Sequence, residues 1–316
     1  MRVLVTGGTG YLGRAVVCAF AAAGHETVVL SRSASRSGVS TLAVDGDVRD
    51  REAVDRAAEG CSVICHLAAL VALWRPRSIE FDDVNVGGLR NVLAVSARRD
   101  VPIVYTSSFL ALPPRGRTGP LMANDYQRTK VLAEREGAAA ARDGARLVRL
   151  YPGVLYGPGV RSEGNLVGRL VDDHLHGRLP GVIGADRIWS CAWVDDVARA
   201  HVAAAERVVP GATYALGGEN LPQMRIFEAI ETITGTAQPW KIPTAAAKVL
   251  GGLEEVRARV FRGSPLVTRG AVEIFSHDWP LDSSLATRDL GYLVRPLVDG
   301  VGLLLESRAA EGHDVR

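Results

Sequence analysis

A glycine-rich turn near the start of the chain restricts the possible folds more than any other feature. The sequence VLVTGGTGYLGRAV runs from a short apolar strand through Gly7, Gly10 and Gly13 into a helical pattern. Glycine permits a tight turn and lets the backbone approach a ligand closely, and the free N–H groups at a helix start suit a pyrophosphate. A glycine triplet between the first strand and the first helix of a βαβ unit therefore predicts a dinucleotide site.

Short apolar runs alternate with longer helical patterns along the first half of the chain. Strand candidates lie at 3–5, 27–30, 41–44, 63–67, 103–107 and 146–150, and helix candidates at 12–23, 50–59, 83–98 and 127–142. The strands are apolar throughout, which is typical of a sheet buried on both faces. The alternation predicts an α/β fold with a Rossmann-type, doubly wound parallel sheet.

The sequence changes character after Tyr151, where YPGVLYGPGV is rich in glycine and proline. Helix candidates follow at 195–207, 223–234 and 244–260, and a Gly-Gly pair weakens the last of them. We expect a cofactor-binding Rossmann domain and a smaller C-terminal substrate-binding region. The first is predicted over 1–155, rejoined by 190–220, and the second over 156–189 and 221–316.

Composition excludes several classes of protein. The 316 residues are 47% hydrophobic and 23% charged, with a net charge of +2, so no broad field favours nucleic acid or a membrane surface. We expect no membrane span and no signal peptide, because the only apolar run near Met1 is the short VLV. The four cysteines fit no zinc or redox spacing, and SVICHLAA, which holds Cys61, Cys65 and His66, is typical of a buried strand. We therefore expect no metal and a cytoplasmic setting.

The stretch YQRTK places Tyr126 and Lys130 four positions apart, shortly after YTSS. On a helix these side chains share one face. A cation near a phenol favours the phenolate, so the proton is exchanged more easily. The pair is a candidate acid–base couple, although Tyr-x-x-x-Lys also occurs by coincidence.

Several motifs in order resemble the extended short-chain dehydrogenases/reductases. They cover about two thirds of the chain: TGGTGYLG, DGDVRD (45–50), HLAA (66–69), NVGGLRNVL (85–93), YTSS (105–108), YQRTK, YPGVLYGPG (151–159) and WVDDVARAH (193–201). The tail WPLDSSLATRDLGY (279–292) resembles the family's C-terminal segment. The resemblance is strongest to the dihydroflavonol reductase-like and 3β-hydroxysteroid dehydrogenase-like branch.

The resemblance implies a catalytic set of Ser108, Tyr126 and Lys130. Tyr126 would act as general acid toward the alkoxide that hydride transfer creates. Lys130 would lower the pKa of the phenol and bind the nicotinamide ribose, and Ser108 would donate to the substrate oxygen. We expect Ser107 to pack inside. The hydride itself belongs to the cofactor.

The end of the second strand, VVLSRS, indicates which cofactor binds. An NAD site usually carries an acidic residue there, whereas this chain has Ser31 and Arg32. A guanidinium can pair with a 2′-phosphate in fork geometry, and by resemblance Arg32 matches the phosphate-binding arginine of dihydroflavonol reductase-like members. We predict NADP(H), with NAD as the alternative and an exposed loop arginine as the other interpretation of Arg32.

The resemblance implies further cofactor contacts. Asp47 would cap the adenine amino group and Val48 would line the same pocket, although Asp47 is equally placed to cap a helix near Asp50. Asn85 matches an asparagine that supports the active site, or it is structural. The remaining predicted contacts are Gly7, Thr9, Gly10, Tyr11, Leu12, Gly13, Leu67, Ala68, Ala69, Thr106, Tyr126, Lys130, Tyr151, Pro152 and Gly153.

Three aromatic residues indicate the substrate class. Trp189 stands where many nucleotide-sugar enzymes place a diphosphate-binding arginine, and tryptophan offers no such clamp. Together with Trp74 and Phe109 it predicts an apolar pocket, while Trp193 fits a pocket or a core equally well. The sequence thus favours a ketoreductase acting on a hydrophobic ketone, aldehyde or alcohol, with high-GC composition pointing to secondary metabolism.

Two other functions stay open at this stage. Arg161, Arg169 and Arg187 could serve a diphosphate, as in a nucleotide-sugar epimerase or dehydratase with tightly bound NAD. A non-catalytic NADP-sensing regulator is the more distant alternative, because such proteins often lose the tyrosine or lysine that this chain retains. The expected partner is a small-molecule substrate, with a homodimer as one possible assembly.

Overall fold

Strands and helices alternate through residues 1–39, 42–160, 162–261 and 263–310, the part of the chain that the computed structural model describes. The strands are β1 (Arg2–Thr6), β2 (Glu26–Ser31), β3 (Leu42–Asp45), β4 (Val63–His66), β5 (Ile103–Thr106), β6 (Leu147–Pro152), β7 (Val154–Tyr156), β8 (Val182–Ile183), β9 (Ile188–Trp193), β10 (Thr213–Leu216), β11 (Asn220–Pro222) and β12 (Lys241–Ile242). The helices are α1 (Tyr11–Ala22), α2 (Arg51–Ala57), α3 (Ile79–Phe81), α4 (Gly88–Arg99), α5 (Asp125–Arg142), α6 (Leu166–Leu175), α7 (Val194–Arg207), α8 (Arg225–Thr234), α9 (Thr244–Phe261), α10 (Arg269–Phe275), α11 (Ser284–Leu290) and α12 (Leu297–Ala310).

Seven parallel strands form the main sheet, in the order β10-β6-β5-β4-β1-β2-β3. Val3 of β1 lies opposite both Thr27 of β2 and Val63 of β4. The chain therefore winds outward in one direction from β1 to β3 and in the other from β4 to β10, which confirms the predicted doubly wound fold. Ligands bind in such sheets at the carboxyl ends of the strands, where the direction reverses between β1 and β4.

Both faces of the main sheet are buried, which explains why its strands are apolar throughout. Successive side chains on a strand point to opposite faces. Val3 and Val5 accordingly pack in one cluster with Phe20 of α1, whereas Leu4 packs in another cluster with Leu89 of α4.

A third hydrophobic cluster connects the sheet to the C-terminal part of the chain. It combines Phe109, just after β5, with Trp189 of β9, Phe227 of α8 and Leu304 of α12. β9 pairs in parallel with β7 and antiparallel with β11, while β10 joins the main sheet beside β6. The division into two domains stays a prediction, with this cluster lying where the two would meet.

The predicted helices are present, with different details. The helix predicted over 83–98 begins at Ile79 and includes a π-helical turn, Asp82–Gly87, before α4. α9 continues across its glycine pair, because Gly251 lets the helix pack against the start of α10: a Cβ at that position would lie 3.0 Å from the Arg269 nitrogen. The elements between β6 and α7 were not predicted, since glycine and proline hide their periodicity.

Candidate active site

A cleft of about 640 Å³ runs along the carboxyl ends of the main-sheet strands. Its walls come from the segments that directly follow β1 to β6 and from α5, and residues 264–268 close one side. The cleft therefore lies where the fold predicts a dinucleotide. Nearly all of the predicted site residues line it; the exceptions are Asn85 and Tyr151.

The glycine turn leaves the start of α1 open toward the cleft. Gly7 has a φ of +73°, and a Cβ there would lie 2.8 Å from the Ala68 backbone. A Cβ on Gly13 would lie 2.1 Å from the Gly7 carbonyl oxygen. Gly10 is the N-cap, no side chain caps the helix, and its first turn holds no acidic residue. The backbone N–H groups in the first turn of α1 are therefore available to an anion such as a pyrophosphate.

The Asp47 carboxylate lies at the far end of the cleft, beside Val48. It forms an ion pair with Arg49 at 2.8 Å, and the hydrogen bond from Arg49 holds the pKa of Asp47 below its usual range. Asp50 caps α2 by accepting from the Glu52 N–H at 2.9 Å. The alternative in which Asp47 caps this helix is therefore wrong.

Arg32 is an exposed cation on the cleft wall next to Ser31. Within the described residues it makes no hydrogen bond and no ion pair. Asp45, the nearest carboxylate along the chain, instead accepts from the Ser35 backbone at 2.9 Å and from its hydroxyl at 2.5 Å. Its charge helps to lower the pKa of Asp47, and without a direct partner in the described structure the guanidinium can meet an anionic ligand.

The predicted catalytic side chains meet at the centre of the cleft. Asn124 caps α5 by accepting from Gln127 N–H at 2.8 Å, which places Tyr126 in the first turn and Lys130 one turn later. Lys130 Nζ donates to the Thr106 carbonyl oxygen at 3.0 Å, which ties α5 to the end of β5. Ser108 follows two residues later, and its Oγ accepts from Leu110 N–H at 3.2 Å.

Burial is the largest influence on the pKa values of Tyr126 and Lys130. The surrounding protein raises the pKa of Tyr126 to about 12, and the nearby Ser108 hydroxyl lowers it. Burial lowers the pKa of Lys130 to about 8, and Glu134 raises it. The sequence assigned a lowering of the phenol's pKa to Lys130, but burial raises that pKa and the opposing influence comes from Ser108. A phenol that keeps its proton at neutral pH suits a general acid.

Glu134 is a site residue that the sequence analysis missed. Its carboxylate accepts from the Ser107 hydroxyl at 2.7 Å, from Arg149 at 2.5 Å and from the Tyr151 hydroxyl at 2.7 Å. Ser107 and Ser108 are both buried and both line the cleft, so burial does not separate the two serines. Tyr151 does not line the cleft, and its hydroxyl donates to Glu134. The signal was present, since Glu134 stands one helical turn after Lys130.

Asn85 also lies behind the cleft, in the π-helical turn. Its Oδ1 accepts from Leu70 N–H at 2.7 Å, and its Nδ2 donates to Thr129 Oγ1 at 2.9 Å. It therefore joins the loop after β4, which lines the cleft, to α5, which carries the catalytic pair. A π-turn inside an α-helix often marks a functional site.

An aromatic cluster forms the other end of the cleft. Trp189 stacks on Phe275 with centroids 5.0 Å apart and an interplanar angle of 9°, while Phe109 meets Trp279 edge-on at 5.4 Å. Trp189 Nε1 donates to the His277 carbonyl at 3.3 Å, so its polar group is satisfied. This wall is therefore apolar.

The two other tryptophans considered from sequence behave differently. Trp74 lines the cleft. Trp193 does not line it: its ring packs edge-on against Tyr156 at 5.3 Å and lies 5.2 Å from the Arg295 guanidinium. Trp193 is therefore a core residue.

The three arginines suggested for a diphosphate have different positions. Arg169 of α6 lines the cleft, and its side chain has no hydrogen-bond or ion-pair partner within the described ranges. Arg187 is exposed and outside the cleft. Arg161 lies outside the described residues.

Cys65 and His66, which come nearest to a metal-binding pattern in the sequence, are both buried in β4. Burial raises the pKa of Cys65, and burial together with the Lys130 charge lowers the pKa of His66 to about 3. Both are neutral strand residues, and His66 Nδ1 lies 2.8 Å from the Thr6 hydroxyl. Among the described residues no cluster of potential metal ligands occurs, and no helix is long and apolar enough to cross a membrane.

The chain is similar to several known proteins along most of its length. The family model described as NAD dependent epimerase/dehydratase family matches residues 3–217. The chain is similar to sterol demethylase protein B of Methylococcus capsulatus, 29% identical over 92% of this chain and 93% of that protein. It is also similar to 2-alkyl-3-oxoalkanoate reductase of Stenotrophomonas maltophilia, 28% identical over 98% of this chain and 100% of that protein. The solved structure of gox2253 superposes with a TM-score of 0.81 at 28% identity, covering 98% of both chains.

Proposed function

The chain belongs to the NAD dependent epimerase/dehydratase family, and from this premise we propose that it is an NADP(H)-dependent oxidoreductase. It interconverts a ketone or aldehyde and an alcohol on a hydrophobic small molecule. The observation that carries the proposal is the shared cleft, in which the glycine turn, the three polar side chains and an apolar aromatic wall face one space.

The proposed chemistry assigns one task to each polar side chain. Tyr126 delivers its phenolic proton to the substrate oxygen during reduction and recovers it during oxidation. Ser108 donates a hydrogen bond to the same oxygen as negative charge develops. Lys130 spends one of its three N–H donors on Thr106, which leaves two for the ribose of the cofactor. The nicotinamide supplies or accepts the hydride.

The glycine turn and Arg32 fit NADP(H) in particular. Gly7 and Gly13 form a cradle that a Cβ would fill, and the first turn of α1 offers its N–H groups to the pyrophosphate. Arg32 adds an unpaired guanidinium where an NAD site usually has a carboxylate. A 2′-phosphate is the ligand group that this arrangement favours.

A hydrophobic substrate is supported by the wall of Phe109, Trp189 and Phe275 and by the names of relatives. An apolar wall with few polar groups is the ordinary form of a small-molecule site. Relatives of the chain are named as reductases, among them the 2-alkyl-3-oxoalkanoate reductase. The pathway remains a proposal, with secondary metabolism as the one suggested by composition.

One observation favours a second function. Arg169 is an unpartnered cation on the cleft wall, and a guanidinium there suits a diphosphate. A nucleotide-sugar epimerase or dehydratase with tightly bound NAD would use such a group. Trp189 argues against it, because the aromatic ring occupies the position that the sequence comparison assigned to a diphosphate-binding arginine.

The two functions differ in how they hold the cofactor. The purified protein is denatured, any released nucleotide is identified by mass spectrometry, and the same batch is titrated with NADPH and NADH. We expect an empty or exchangeable site that binds NADPH more tightly. Stoichiometric NAD that survives purification would instead favour the epimerase or dehydratase, because those enzymes regenerate their cofactor without releasing it.

A further inference from the structure

α9 packs against the protein through its smallest residues. Only Ala247, Gly251 and Ala258 of this helix are buried. Its large apolar side chains point the other way, which reverses the usual arrangement in which such residues fill the core. Exposed single apolar residues are ordinary, but a continuous row of them marks an interaction site.

We call the row formed by Val249, Leu253, Val256 and Val260 the outer face of α9. These side chains are 65%, 64%, 58% and 67% exposed. Their spacing of four, three and four residues places them on one side of the helix, opposite the three buried small residues. The described residues leave the outer face uncovered.

The basic side chains of α9 lie beside the outer face, and its acidic side chains lie on the side that meets the protein. At about 3.6 residues per turn, Lys248 and Arg259 flank it on one side and Arg257 on the other. Glu254 and Glu255 turn toward the protein, where their side chains are 12% and 16% exposed. Arg259 has no ion-pair or hydrogen-bond partner in the described part of the chain.

The apolar surface extends beyond α9 on both sides. Trp240, four residues before the helix, is 84% exposed, and Phe261 at its end is 77% exposed. Leu266 is 84% exposed and also belongs to residues 264–268, which line the cleft. Glu254 accepts from Leu266 N–H at 2.9 Å, so α9 holds the segment that lines one side of the cleft.

We propose that the outer face of α9 docks on an anionic lipid surface, with the helix lying in the plane of the interface. An apolar face flanked by lysine and arginine is the signature of such helices. The mouth of the cleft would then open at the bilayer, where a hydrophobic substrate dissolves. This last step rests on the proposed function, whereas the docking itself does not.

A lipid surface fits the outer face better than a second copy of the chain does. Lys248 is paired with Glu273 at 2.9 Å and Arg257 with Glu254 at 2.7 Å, so Arg259 is the cation flanking the outer face that lacks a partner in the described structure. Two copies that met face to face would leave both Arg259 side chains without a counter-charge, whereas an anionic headgroup near Arg259 contributes about 1 kcal/mol of attraction. From the small net charge of +2 we expected no membrane partner. Net charge does not reveal that basic side chains lie beside one apolar face of a single helix.

Vesicle cosedimentation of the full chain tests the docking. Wild type is mixed with vesicles of phosphatidylcholine and phosphatidylglycerol, and with vesicles of phosphatidylcholine alone. The test variant is Leu253→Glu with Val260→Glu. The control variant is Val209→Glu with Leu293→Glu, whose side chains are 52% and 66% exposed and lie outside α9. Thermal melting and NADPH titration show that each variant is folded.

We expect wild type and the control to bind the anionic vesicles, more weakly at high salt, and the test variant to bind at least about tenfold less. Absence of wild-type binding, or equal loss in both variants, would refute the proposal. So would a wild-type dimer in light scattering that only the test variant dissociates, since the occupant would then be a second copy. Normal NADPH binding without docking would leave the proposed function standing.

Discussion

The helices α5 and α9 have the same length, 18 residues, and opposite relations to water. α5 buries polar side chains, among them Gln127, Thr129 and Lys130. α9 buries only alanine and glycine and exposes valine and leucine. Both helices depart from the rule that apolar residues lie inside and polar residues outside.

The two departures have different physical meanings. Burial of a polar group costs free energy unless a partner compensates it, and on α5 the partners are present: Lys130 donates to Thr106, and Gln127 donates to the Leu110 carbonyl at 3.1 Å. On α9 the exposed apolar groups have no partner within the described residues. The first arrangement indicates a preorganised site and the second a surface that binds something outside the chain.

The largest effect should come from removing the acid on α5. Tyr126→Phe is expected to lower kcat by about 10²- to 10⁴-fold, because no other group delivers the proton to the substrate oxygen. NADPH affinity should stay at the wild-type value, since the ring remains. Steady-state kinetics and fluorescence titration measure the two quantities.

The matched control for that prediction is Tyr105→Phe. Tyr105 is buried beside Lys130 and does not line the cleft. The Tyr105→Phe variant should keep a kcat near the wild-type value. Equal losses in the two variants would remove the special role of Tyr126.

The next effect concerns the exposed cation at the other end of the cleft. Arg32→Ala should weaken NADPH binding by about 10- to 100-fold, the worth of hydrogen bonds to a charged group, and leave NADH binding nearly unchanged. Arg36→Ala is the control, because Arg36 is exposed in the same loop but does not line the cleft. A ratio of NADPH to NADH affinity that is the same in all three proteins would contradict the NADP(H) proposal.

A smaller effect tests the network behind α5. Lys130 carries its charge below a pKa of about 8 and loses it as pH rises through that value. Glu134 raises this pKa, so Glu134→Gln should move the alkaline limb of the pH profile of kcat/KM down by about one unit. Glu136→Gln, which removes a surface partner of Arg90, should leave the alkaline limb of the pH profile unchanged. An equal shift in the Glu136→Gln variant would refute the proposed effect of Glu134 on the pKa of Lys130.

The smallest effect should come from α9. Leu253→Ala is expected to change the free energy of unfolding by less than about 0.5 kcal/mol, because an exposed side chain loses little on truncation. Leu304→Ala, at a fully buried position, should cost about 2–5 kcal/mol. Urea denaturation measures both. A large cost at Leu253 would mean that the outer face is covered within the folded protein.

Local patterns identified six of the seven strands of the main sheet, and the edge strand β10 was not predicted. The glycine turn, the apolar strands and the YQRTK pair were identified from neighbours in sequence, and the fold class and the family are confirmed. The interpretation of Trp193 was open because a tryptophan in an apolar strand fits a core and a pocket equally. Its packing against Tyr156 and Arg295 resolves the choice.

Contacts between segments that are far apart in the sequence could not be predicted from it. Glu134 takes its role from Arg149 and Tyr151, which approach it only after β6 and α5 pack together. Residues 264–268 reach a cleft whose glycine turn and polar site residues come from the first half of the chain. Neither arrangement follows from spacing, because the partners are not neighbours on any one element.

By itself the sequence determined six strands of the main sheet and the helices between them, the glycine cradle and the order of the polar site residues, because each depends on hydrogen bonding and periodicity within a few residues. The tertiary structure decided which side of each helix meets water. It buried Lys130, so that desolvation lowers the pKa of Lys130 to about 8. It also turned the valines and leucines of α9 outward, because Gly251 and two alanines allow that helix to pack closely through its other side.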